Sequence, residues 1–179
     1  MTYIFKTPSL GLPAVTSTLA ALSTISAAGR VPGTLLGTIV HAWDPTYGGG
    51  EFIYLLGVAS TVVGSVVTYD GASTGTPTYQ TALAPATAGL AQPLAVAMSA
   101  NLGGFYGWYQ IGGHAVMATN GTLAAGPGPI YLAGSGQVTS TAANGKQVLN
   151  ARNDTATGTP AANQAVVSIN RPFAQGQVV

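Results

Sequence analysis

From Gly71 to Gly145 the chain carries no Asp, Glu, Lys or Arg, and His114 is the sole histidine in that stretch. A run so poor in charge has three outlets: a bilayer, a buried core, or a surface covered by other protein. Glycine, proline and asparagine interrupt it at Pro77, Pro85, Gly103-Gly104, Asn120-Gly121, Gly126-Pro127-Gly128 and Gly134-Ser135-Gly136. It therefore never reaches the roughly 18 uninterrupted apolar residues of a membrane helix. Residues 52–69 are also uncharged, but Gly57 and Gly64 break them, and Ile53, Val58, Val62, Val63, Val66 and Val67 are β-branched. Two strands around a turn fit that composition, and no bilayer span is expected.

The same scarcity extends to the whole chain. Its 179 residues hold five Lys or Arg and four Asp or Glu, for a net charge of +1 with the histidines neutral. Charged residues are 5% of the total, where about 25% is usual. With 47% hydrophobic residues the composition is the reverse of a disordered chain, and this length suffices for a real core. Dispersed soluble domains carry charge over about a quarter of their surface. A chain without it is expected to live against other protein. The basic residues Lys6, Arg30, Lys146, Arg152 and Arg171 are scattered, so no nucleic-acid footprint is expected. The absence of Cys excludes a disulfide framework, thiolate zinc and a Cys nucleophile. Pro8, Gly11 and Pro13 interrupt the stretch after Lys6, which does not read as a secretory signal.

Two parts are expected. Residues 1–32 form an extended N-terminal arm, with one candidate short helix over 13–29 that Pro13 would open and Gly29 would close. Residues 33–179 form a single small all-β barrel or sandwich. Its strands are expected near 34–43, 51–58, 65–69, 93–99, 105–112, 114–119, 129–133, 147–152 and 164–170. Turns fall at Asp44-Pro45, Gly48-Gly49-Gly50, a long loop over 70–92, and the Gly and Asn pairs between later strands. In the arm, Tyr3, Ile4 and Phe5 form a short apolar patch. It can dock on its own domain as a first strand or add to a partner's sheet edge, and these residues are the candidate partner-binding site.

Catalytic patterns are thin. Gly71-Ala72-Ser73-Thr74-Gly75 matches G-x-S-x-G, but Thr76-Pro77-Thr78 opens no helix, and no acid lies between Ser73 and His114 to complete a triad in order. The four acids Asp44, Glu51, Asp70 and Asp154 show no pairing, and Asp44 and Asp70 read as turn residues. His41, Asp44, Glu51 and His114 lack metal-ligand spacing. No catalytic residue, cofactor or metal is expected. The densest aromatic cluster is Phe105-Tyr106-Gly107-Trp108-Tyr109. It either packs into the core or presents a strip for sugar rings, and core packing is preferred.

Four segments carry a resemblance. They are Gly50-Glu51-Phe52-Ile53-Tyr54-Leu55, Val66-Val67-Thr68-Tyr69-Asp70, Tyr106-Gly107-Trp108-Tyr109-Gln110-Ile111 with Gly113, and Asn170-Arg171-Pro172-Phe173. In that order, over roughly residues 33–173, the chain resembles the head decoration, or cement, proteins of tailed bacteriophages. The resemblance implies a non-enzymatic virion protein on the outer surface of the capsid head. Its partners would be the major capsid protein and further copies of itself as a homotrimer, with no nucleic acid and no membrane. The rival readings set against it are a head-fibre base or tail component, a carbohydrate-binding or adhesin module using the aromatic strip, and an esterase at Ser73, which the missing helix and acid disfavour. Deletion of residues 1–12 is expected to weaken head binding with the β-domain still folded.

Overall fold

Branched and flat side chains pack well on a pleated surface, so runs of Val, Ile, Thr and aromatics between turn residues favour strands. The structure, a computed structural model, describes residues 3–5, 12–17, 34–69 and 79–178. Every regular element in them is a strand: β1 (Ile4–Phe5), β2 (Ile39–Asp44), β3 (Gly48–Leu56), β4 (Val66–Tyr69), β5 (Thr81–Leu83), β6 (Leu94–Ala97), β7 (Tyr106–Ala118), β8 (Tyr131–Gly134), β9 (Gln137–Thr139), β10 (Val148–Asn153) and β11 (Gln164–Ala174). The chain is all-β, as its turn rhythm indicates. No helix among the described residues is long and apolar enough to cross a membrane. Most of the candidate helix over 13–29, and all of the Ser73 pentapeptide, lie outside the described residues.

Several boundaries differ from expectation. Gly48, Gly49 and Gly50 are not a turn but the start of β3, paired with β2 from Asp44↔Gly48 to Ala42↔Gly50. The turn is Pro45–Tyr47, held because the Asp44 carboxylate accepts the N–H groups of Thr46 (2.8 Å) and Tyr47 (3.0 Å). The segments 105–112 and 114–119 fuse into the 13-residue β7. β5 and β9 occupy stretches read as loop, being three residues each and too short to display alternation.

β7 is the axis of the fold. β3 runs antiparallel along one edge, from Leu56↔Tyr106 to Gly50↔Gly113. β6 and β11 share the other edge, β6 at Tyr109 and Gln110 and β11 from Gly112 to Ala118. The path β3-β7-β6-β4-β5 then curls back on itself. Gln80 bridges Leu56, the Leu56 N–H donates to Tyr79 O, and the Thr81 hydroxyl donates to Leu56 O at 2.9 Å. Ile53, Leu55, Val67, Ala95, Ala97, Tyr109 and Ile111 fill the inside of this small barrel. Tyr109 is anchored there by the Asn101 side-chain amide, which donates to its hydroxyl at 2.8 Å. Burial nonetheless keeps the Tyr109 pKa raised.

Outside the barrel, alternation sends Val66, Leu94, Val96, Ala115, Met117, Val167 and Ile169 into a second core, closed by Leu123, Ile130, Leu132 and Val138. A third core lies on the opposite face of β2, β3 and β7, around Phe52, Tyr54 and Trp108. The arm covers this third core. β1 pairs with β2 (Ile4↔Trp43, Phe5↔Ala42), which turns Tyr3 and Phe5 inward and Ile4 outward. The Tyr3 ring meets Phe52 edge-on at 4.8 Å and Phe5 meets Trp108 at 6.0 Å. The Trp108 indole N–H donates to Pro13 O at 3.0 Å. Burial, and next the charge of Asp44, push the Tyr3 pKa up to about 12.

Candidate functional site

Along the first half of β7, Tyr106, Trp108 and Gln110 face the third core while Tyr109 and Ile111 face the barrel interior, and all five are buried. Neither face of Phe105–Tyr109 is left for a ligand, and core packing is the finding for this cluster. At Gly112-Gly113 the strand bends. Gly113 has a φ of +92°, and a Cβ there would run into the Gly49 carbonyl oxygen. Opposite it the β3–β7 register slips between Glu51 and Phe52. The buried Gln110 amide clamps the bend by donating to Gly112 O and His114 O, each at 3.0 Å. Beyond it Ala115 and Met117 return to the core, while His114 lies exposed opposite Ser168.

The consequence is an open outer face over β2-β3-β7-β11-β10, where residues distant in sequence meet. Of the six charged residues described (Asp44, Glu51, Lys146, Arg152, Asp154, Arg171), four lie on it with both histidines. Glu51 anchors one trio: its Oε1 is 3.0 Å from His41 Nε2, and its Oε2 accepts the Arg171 Nε–H at 3.4 Å. Asp154 anchors the other. Its Oδ2 accepts the Ser168 hydroxyl at 2.6 Å and lies 3.6 Å from His114 Nε2, and its Oδ1 is 3.5 Å from Arg152 Nε. In each group the carboxylate is the better covered member, and the imidazole and guanidinium groups are more than half exposed. Such pairs contribute only about 0–1 kcal/mol each to stability, so the fold does not require their arrangement.

Two of the seven left-handed non-glycine residues described lie on the same face. Asn150 (φ +57°) and Arg171 (φ +48°) are left-handed without being glycine. They sit where the β10–β11 ladder slips between Leu149 and Ala151. Conformations of this kind cost about 1–3 kcal/mol each and collect at functional sites.

Three depressions join along this face into one trough. The first, about 790 Å³, is lined by Trp43, Tyr47, Gly48, Gly49, Gly113 and His114. The second, about 250 Å³, shares Gly49 and Gly113 and adds His41, Glu51 and Asn170. The third, about 470 Å³, shares Ile169 and Asn170 and reaches Asn150 and Arg152. Trp43, 46% exposed, forms one end wall.

What the face can do chemically follows from who bonds to whom. Ser168, His114 and Asp154 have triad composition without triad order: the hydroxyl donates straight to the carboxylate, whereas a nucleophile needs the imidazole between them. The four residues weighed as metal ligands are dispersed, with His41 on Glu51, His114 on Asp154 and Asp44 in its turn. Among the described residues no three His, Asp or Glu converge on a metal-sized site. Arg152 and Arg171, scattered in sequence, do share this face, but each beside its own carboxylate. The candidate partner-binding residues lie at the sheet edge beyond Trp43, with Tyr3 and Phe5 packed on their own domain and Ile4 61% exposed.

Sequence reasoning singled out neither Trp43 nor Ser168, nor the meeting of Glu51 with Arg171 across 120 positions. The last pair does join two of the segments that carried the resemblance. No family model, curated protein or solved structure matches the chain.

Proposed function

We propose that the chain is a non-enzymatic structural protein of a tailed-phage virion, bound to the outer surface of the capsid head and reinforcing it. Its partner is the major capsid protein, and it acts as a homotrimer. The observation that carries this reading is a chain almost without charge that leaves large apolar side chains open on and beside the β1–β2 pair: Ile4 is 61%, Leu35 80% and Ile39 43% exposed. Exposed apolar groups mark a contact surface where they are contiguous, and Ile4 lies across from the half-exposed Trp43. Covering them contributes roughly 25 cal/mol per Å² before the costs of association. Few charges lower the desolvation cost and leave attachment insensitive to salt. The resemblance to decoration proteins supports the same reading, with Ile4 as the outward contact and Tyr3 and Phe5 seating the strand that presents it.

Deleting residues 1–12 no longer separates binding from folding, because it strips the cover from Phe52 and Trp108. Ile4→Ser is the cleaner variant. Heads of the phage or prophage that carries this chain, prepared without it, are mixed with the purified protein and sedimented. Saturable occupancy and a higher temperature of head rupture are expected, with weaker occupancy for Ile4→Ser. A folded chain that stays in the supernatant at every concentration overturns the reading.

A further inference from the structure

The geometry points to a second surface: the trough from Trp43 to Arg152 is a binding site for a neutral oligosaccharide. Three features carry it. The wall is an indole that is half exposed while Trp108 is wholly buried, so Trp43 is the tryptophan able to offer a flat face to a sugar ring. The floor is lined by Gly49, Gly50, Gly112 and Gly113, so backbone forms part of its surface, although Gly50 and Gly113 are glycine for the close packing of Phe52 and of the Gly49 carbonyl against them. The sides are the two carboxylate trios, whose exposed imidazole and guanidinium groups keep donors free for hydroxyls around a fixed acceptor.

Charge selects the class of ligand. Each guanidinium lies beside a carboxylate, so the trough is self-neutralised and favours neither a phosphate nor a cation. An extended peptide is disfavoured by the backbone. The floor strands β3, β7 and β11 already bond to one another, so no free edge is offered for strand addition. Neighbouring polar pairs beside an aromatic face suit vicinal hydroxyls on an apolar ring face. The largest depression, about 790 Å³, lies within the size range of small-ligand sites.

The inference does not depend on head binding, since the sugar titration uses no heads, although Ile4 is the cross-strand neighbour of Trp43. The intact protein is titrated calorimetrically with cellotriose, maltotriose and chitotriose, and acrylamide quenching reports the exposure of Trp43. Saturable binding of at least one trisaccharide is expected, with the indole shielded. Trp43→Ala should weaken that affinity about tenfold or more, as loss of an aromatic anchor does, with unchanged melting temperature. Glu51→Gln should weaken it less. Failure of all three sugars to saturate overturns the proposal. So does undiminished binding by a folded Trp43→Ala protein, or saturation of the trough by an uncharged extended peptide in place of the sugars.

Discussion

The two halves of β7 share one strand but not its partners: β3 and β6 flank the first, and past Gly113 the ladder partner is β11. Tyr106 to Ile111 is buried on both faces, between the barrel interior and the core under the arm. Past Gly112-Gly113, Ala115 and Met117 pack in the core and Val116 and Ala118 are covered too, but His114 stands in the open. The difference lies in the neighbours. The barrel closes over the first half, whereas nothing among the described residues closes over the outer face of β11 and β10. Both halves are anchored in cores, but exposed polar chemistry gathers only at the second.

The largest expected effect breaks the buried half. Trp108→Ala removes the ring that Phe5, Tyr54 and Pro13 O all contact and should cost about 3–5 kcal/mol in denaturant unfolding. Gly113→Ala attacks the pivot, adding left-handed strain to a collision with Gly49. A loss of about 3 kcal/mol is expected, with trough ligands affected as well.

A pH titration separates the halves differently. Tyr3 ionises near 10 in the unfolded chain and only at about 12 in the folded one. Between those values the unfolded state has lost the proton and the native state retains it. Stability is therefore fully present below pH 10 and falls as pH rises toward 12. Tyr54, Tyr69 and Tyr109, also raised by burial, add to the fall. Tyr3→Phe should make the alkaline decline shallower, as read by melting temperature against pH. The smallest effect belongs to the open half. Glu51→Gln breaks an exposed trio and should shift stability by under about 1 kcal/mol, so any larger change would show that the trough is part of the fold's support.

These contrasts also explain what was legible in the sequence. β-Branched runs between glycines set the class, because alternation and turn chemistry are local properties. The aromatic cluster read correctly as core over Tyr106–Tyr109, which alternate into two buried faces of β7, while Phe105 lies before the strand and is half-buried. The glycine triplet misled, because Gly48 to Gly50 pair with β2 instead of closing the turn, and Gly49 and Gly50 lie against Gly113, 63 residues beyond Gly50. The trough was invisible for the same reason. Glu51 meets Arg171, and His114 meets Asp154, only through the register of β3, β7, β11 and β10, which no spacing encodes.

Amide hydrogen exchange on the free chain and on the chain bound to heads tests the assignment most directly. Added protection is expected at β1, β2 and the segment around Leu35, with the first half of β7, already slow, unchanged. Exchange identical in the two samples across that edge would contradict the assignment of the apolar rim as the surface that meets the capsid.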